Sequence, residues 1–198
     1  MMSRFNDLLR TIPPATLGVI SLCCLLYMFQ IVTDLPLRAV TLCPRLVVHD
    51  NEYYRIVTSA LFHANLMHIG MNCMSTLAIG SMLEKRLGTL RMIVTMLWSI
   101  FLTSVIYIAS ALFLNAFLGM KGLMEQHSIG FSGVIFHLSV LECNLGPHAS
   151  RSVFGIFQVP SSLYPWVLYV SEFREHAEVV HMQSNLVCVR FRCPRSMS

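Results

Sequence analysis

Apolar positions along the chain fall in long unbroken runs and do not alternate with polar ones at helical or strand spacing. The first run, Ala15 to Val32, follows the helix-starting pair Pro13-Pro14 and ends at Thr33-Asp34. A second uncharged run covers Ile56 to Leu83. Its first third carries Thr58, Ser59, His63 and Asn65, so the span proper is predicted to begin near Asn65. A third run extends from Met92 to Met120, with loop expected from Asn115 onward. Shorter runs follow at Gln126 to Leu141 and Ser152 to Val170, broken by Gly130, Gly133 and Pro160. A helix needs about 20 mostly apolar residues to cross the hydrocarbon core. The pattern therefore predicts an all-α, polytopic membrane bundle with about five spans.

Composition agrees. The 198 residues are 55% hydrophobic and 12% charged, about half the charge of an ordinary soluble domain. The ten glycines and eight prolines follow no repeat, which excludes collagen-like and low-complexity chains. The net charge of +4 is dispersed and forms no basic stripe, so nucleic-acid binding is not expected. Basic residues in the loops favour a cytoplasmic N-terminus: Arg4, Arg10, Lys85, Arg86, Arg91 and Arg151 stand against Arg38, Arg45, Arg55 and Lys121. The seven cysteines form no CxxC pair or zinc-type spacing, and no metal or cofactor is expected.

Charge is unevenly distributed. Of the 24 charged residues (14 basic and 10 acidic), seven lie in the last 28 positions, leaving 17 for the first 170. The expected division is a cytoplasmic N-terminal segment (1–14), a membrane domain (15–170) and a polar tail (171–198).

Two polar constellations stand out, because such groups are costly inside a bilayer. His68-Ile-Gly-Met-Asn72 places two side chains one helical turn apart on one face. They can bridge neighbouring helices or donate hydrogen bonds to a single oxygen. Gly130-Phe131-Ser132-Gly133 opens the fourth run. It reads either as small-residue helix packing or as a nucleophile on a helix start whose free N–H groups stabilise an oxyanion. Val134-Ile135 departs from the soluble hydrolase G-x-S-x-G elbow.

In combination these motifs resemble the rhomboid intramembrane serine proteases, specifically the six-helix, endoplasmic-reticulum-type eukaryotic members. The resemblance covers roughly residues 10 to 170. It is carried by Arg55 to His63, the His68/Asn72 pair, Leu83-Glu84-Lys85-Arg86-Leu87-Gly88 and Gly130-Phe131-Ser132-Gly133-Val134. It implies Ser132 as the nucleophile, with His68 and Asn72 as oxyanion donors beside the Ser132 backbone N–H. Glu84, Arg86 and Gly88 would form a structural turn, Gly130 and Gly133 would serve packing and access, and His63 would be structural. Membrane-protein substrates cleaved near the end of a transmembrane helix, a bilayer-embedded multi-pass chain and an endoplasmic-reticulum or other endomembrane location follow from the same resemblance. Oligomeric state is not legible.

One element of the family pattern is missing: the base histidine in a Gly-His-xxx-Gly setting on the last helix. His176 and His181 sit among charges and read as solvated tail residues, His137 as a packing or lumen residue, and His49, His127 and His148 as loop residues. The expectation is that the tail replaces the sixth helix through a shifted frame, a retained intron or an alternative transcript. A non-catalytic relative that binds transmembrane clients is the competing expectation. A small transporter, a metalloprotease and an aspartyl protease are disfavoured, respectively, by spans without Asp, Glu, Lys or Arg, by the lack of HExxH and by the lack of intramembrane Asp.

Overall fold

A computed structural model of the chain describes residues 11–145, 150–153, 157–160 and 163–167. The helices in chain order are α1 (Pro14–Thr33), α2 (Pro44–Val48), α3 (Arg55–Leu61), α4 (Leu66–Ser75), α5 (Ser81–Leu87), α6 (Thr89–Leu118) and α7 (Ser132–Leu145). A π-helical segment, Thr76–Gly80, joins α4 to α5 without a break. Among the described residues, three helical stretches are long and apolar enough to span a bilayer: α1, α4 through α5, and α6. The fourth, α7, is shorter. The protein is an integral membrane helical bundle with one small hairpin.

The outer surfaces of α1 and α6 are apolar, with Leu25, Phe29, Val32, Leu97, Trp98, Phe113 and Phe117 all exposed. That inversion suits lipid in place of water. The interior holds Ile79, Leu83, Met92, Met96, Ile100, Phe131, Val134, Ile135 and Leu138. It also holds polar groups that tie helices together. Ser99 Oγ lies 2.7 Å from His137 Nδ1, joining α6 to α7, which gives His137 the packing role expected of it.

The start of α1 is capped from a distant part of the chain. Pro13 offers no side-chain cap, and the first N–H groups of a helix have no partner within it. The buried carboxylate of Glu84 supplies one. It accepts hydrogen bonds from the N–H groups of Ala15 (2.9 Å) and Thr16 (2.8 Å), from Thr16 Oγ1 (2.8 Å) and from Thr89 Oγ1 (2.9 Å). A carboxylate at a helix N-terminus also complements the helix dipole. The π segment makes this possible: twelve residues at about 100° each would leave Glu84 about 120° around the axis from Asn72. A π turn advances less per residue and brings Glu84 back toward the interior face. Gly88, at φ +85 and ψ 156, then turns the chain from α5 into α6, in a region open to glycine alone.

Two readings of the pattern are corrected. The third apolar helix begins at Thr89 and passes Asn115 to end at Leu118. Gly119, in the left-handed conformation, stops it: its N–H bonds to Asn115 O at 3.1 Å, and Met120 N–H to Leu114 O at 3.4 Å. The fifth run does not begin as a membrane helix. Ser150–Val153 and Phe157–Pro160 pair antiparallel, Ser150 opposite Pro160. Proline cannot continue a helix, and the β-branched Val153 and Val159 favour strand.

The loops on the Ser132 side are clasped together. Arg55 is buried, ion-paired with Glu52, and donates to the carbonyls of Arg38 (2.7 Å) and Thr41 (2.8 Å). Leu42 and Ser128 exchange backbone hydrogen bonds at 2.8 and 2.9 Å. Thr41 Oγ1 lies 2.7 Å from His127 Nδ1. The first loop thus braces the segment that leads into Gly130.

Candidate active site

Asn65 opens α4 as its N-cap, its Oδ1 accepting from the His68 N–H at 2.8 Å. The cap that starts the helix therefore also sets the position of His68. One turn on, Asn72 Nδ2 donates to the His68 carbonyl at 2.8 Å, and among the described residues its Oδ1 completes no hydrogen bond. His68 and Asn72 are 4% and 2% exposed, so both sit within the protein and away from lipid.

Ser132 is the first residue of α7, and the Ile135 N–H to Phe131 carbonyl bond (3.0 Å) opens that helix's ladder. The Ser132, Gly133 and Val134 amides precede the ladder and belong to the orphan donors that favour anions. Phe131, Val134, Ile135 and Leu138 are buried at helical spacing, leaving Ser132 half-buried on the flank of that face.

What brings the two constellations together is Gly130. It sits at φ +111, and a Cβ built there would lie 2.5 Å from His68 Cε1 and 2.6 Å from Nε2. The His68 imidazole therefore rests directly on the Gly130 backbone, two residues before Ser132. The Gly130 N–H donates to the Ser59 carbonyl at 2.7 Å, so α3 holds this backbone in place. A Cβ added at Gly133 would meet Thr103 of α6 at ordinary contact distance.

His63 adjoins this pair, fully buried, its ring centroid 5.3 Å from that of His68 in an edge-to-face arrangement. Burial pushes its imidazole down to about 4, keeping it neutral at physiological pH. A cavity of about 10 Å³ is lined by His63, Asn72 and Phe131 together with Val19 and Cys23 of α1. Among the described residues no three metal-ligating side chains converge. His148, His176 and His181 lie outside the described residues.

The rhomboid family model, described as the Rhomboid domain, matches residues 50–187. The chain belongs to the rhomboid family. The match extends past residue 170, where the composition changes. Rhomboid-like protein 15 of Arabidopsis thaliana is 32% identical over 173 residues, covering 86% of this chain and 43% of that protein. Human Rhomboid-related protein 4 is 29% identical over 167 residues, 84% of this chain and 52% of its own length. The Rhomboid protease GlpG of Serratia proteamaculans is 32% identical over 126 residues, 63% of this chain and 41% of that one. This rhomboid chain thus spans about half the length, or less, of these relatives. Family membership supports an intramembrane protease-like fold.

The roles of Gly130 as the seat of His68, Glu84 as the cap of α1 and His63 as a neighbour of His68 are not marked by any local pattern. Only the positive-φ demand on a glycine just before a helix start hints at the first of them.

Proposed function

We propose that the chain carries the reaction centre of a rhomboid-type intramembrane serine endopeptidase, acting on transmembrane segments of membrane proteins. Ser132 Oγ attacks the scissile carbonyl carbon, the peptide C–N bond breaks with the amine leaving and carrying the hydroxyl proton, and water then hydrolyses the acyl-enzyme to release the new carboxyl end and regenerate Ser132. The developing oxyanion is met by the Ser132 backbone N–H, by the His68 imidazole and by the second hydrogen of Asn72 Nδ2. The observation that carries the reading is the seating of His68 on Gly130, two residues from Ser132. Pre-positioned donors of this kind supply a large share of catalysis in acyl transfer. The same reading assigns residues 15–170 to the membrane domain and an endomembrane such as the endoplasmic reticulum as its location.

A second reading is favoured by one specific observation, that no Gly-His-xxx-Gly occurs in the sequence. A serine without a base is a weak nucleophile, and such a chain would bind transmembrane clients in quality control or trafficking without cutting them. The two readings are separated by fluorophosphonate labelling of the purified chain and of a chimera whose residues 171–198 are exchanged for the C-terminal region of the Rhomboid protease GlpG of Serratia proteamaculans. The chimera is expected to label, Ser132→Ala is expected to abolish the label, and the native chain is expected to react about 10²- to 10⁴-fold more slowly, the usual contribution of a general base. A folded chimera that shows no Ser132-dependent label would favour the client-binding reading. Equal rates for chimera and native chain would place a working base within this sequence.

A further inference from the structure

The entry to α4 carries a buried titratable group that the proposed chemistry does not use. His63 is 0% exposed, and among the described residues neither ring nitrogen completes a conventional hydrogen bond, although the nearby Leu61 backbone favours its charged form. Apolar residues ordinarily occupy such positions, because a polar group buried without a partner is costly. What His63 does have is the His68 ring, at 5.3 Å between centroids and 69° between planes. That geometry sets the electropositive edge of one ring against the electron-rich face of the other, the favourable arrangement for aromatic pairs. The His63 backbone is itself anchored, since its carbonyl accepts from Gln30 Nε2 of α1 at 3.1 Å.

We propose that His63 is a positioning residue for the oxyanion donors, holding the plane of the His68 imidazole through this edge-to-face contact while the Gly130 backbone holds its position. The inference rests on the reading of His68 as an oxyanion donor. His68 sits on a helix whose cap at Asn65 fixes its backbone, but the cap leaves its ring torsions free. Terminal torsions of this type are broad, so the ring plane must be set by what touches it. Gly130 supplies one contact and His63 another. Asn72 lines the same small cavity as His63, so a change at His63 also alters the surroundings of the second donor.

Two readouts on the full chain test this, one independent of reactivity. In the first, ¹⁵N-histidine labelling in detergent micelles reports the ring resonances of His68. His63→Leu, which removes the ring, is expected to shift them, and His63→Phe, which retains a ring edge, to bring them back most of the way. In the second, the fluorophosphonate rate at Ser132 is expected to fall about tenfold or more in His63→Leu, through the reactive step and not through probe binding, as for misplacement of a reacting group. His63→Phe should recover most of the loss, with the thermal midpoint of both variants close to that of the parent. Unchanged His68 resonances in His63→Leu, or a phenylalanine variant no better than the leucine one, would overturn the proposal. If neither this chain nor the chimera labels at Ser132 while the resonances respond as expected, the contact stands and the nucleophile reading fails. Labelling at Ser132 that is indifferent to His63 leaves the nucleophile in place and removes the positioning role.

Discussion

Glu84→Ala is expected to lower the thermal unfolding midpoint by roughly 10 °C in detergent, on a scale of about 2–4 °C per kcal/mol for a chain of this size. The carboxylate is 2% exposed and accepts four hydrogen bonds, two from the first-turn amides of α1, one from Thr16 Oγ1 and one from Thr89 Oγ1. Hydrogen bonds to a charged group contribute about 1.5–3 kcal/mol each, and a buried donor left without its acceptor costs about 1–3 kcal/mol. Even with strong non-additivity the loss should reach about 3–5 kcal/mol. Thr16→Val removes only the hydroxyl bond and should cost about 1 kcal/mol. A differential scanning measurement placing Glu84→Ala within about 2 °C of the parent would show that α1 does not depend on this cap.

Gly130→Val should be more damaging still, and locally so. Any Cβ at this position enters the His68 ring at 2.5 to 2.6 Å, and φ +111 is a conformation that a β-branched residue does not adopt without strain. Neither contact partner can yield cheaply. The Gly130 N–H is pinned to Ser59 at 2.7 Å, and His68 is enclosed by α4 and by His63. Gly130→Ala should displace His68 and reduce Ser132 labelling in the chimera at least about tenfold. Gly130→Val should in addition lower the yield of folded protein. Gly133→Ala is the internal contrast, because its added Cβ would meet Thr103 at 3.4 Å, ordinary contact. A Gly130→Ala protein that labels at the parental rate would separate His68 from Ser132.

How much of the structure is legible in the sequence depends on distance along the chain. Local signals are read directly: Pro13-Pro14 opens α1, Asn65 caps α4, and Ser132 begins α7. The end of α6 is not, because Asn115 looks like a loop residue, whereas a left-handed Gly119 decides the stop. The fifth run misleads because apolar content alone does not distinguish a span from strands. The contacts that build the candidate site lie between distant residues. Glu84 meets Thr16 across 68 positions, and Gly130 meets His68 across most of one span and the whole of the next. Periodicity carries no information about such pairings. The edge-to-face contact of His63 is equally hidden, since two histidines five residues apart have no preferred relation when a helix cap falls between them.

The most direct measurement of the central idea, that Ser132, His68 and Asn72 form one reaction centre, is the second-order rate constant for fluorophosphonate modification of the chimera carrying Asn72→Ala, with the adduct located by peptide mass spectrometry. Removing one oxyanion donor from such a centre costs about 10²- to 10³-fold. A decrease of that size at an unchanged melting midpoint, with the remaining adduct on Ser132, is the predicted result. A rate equal to that of the parent chimera, or an adduct on another residue, would contradict it.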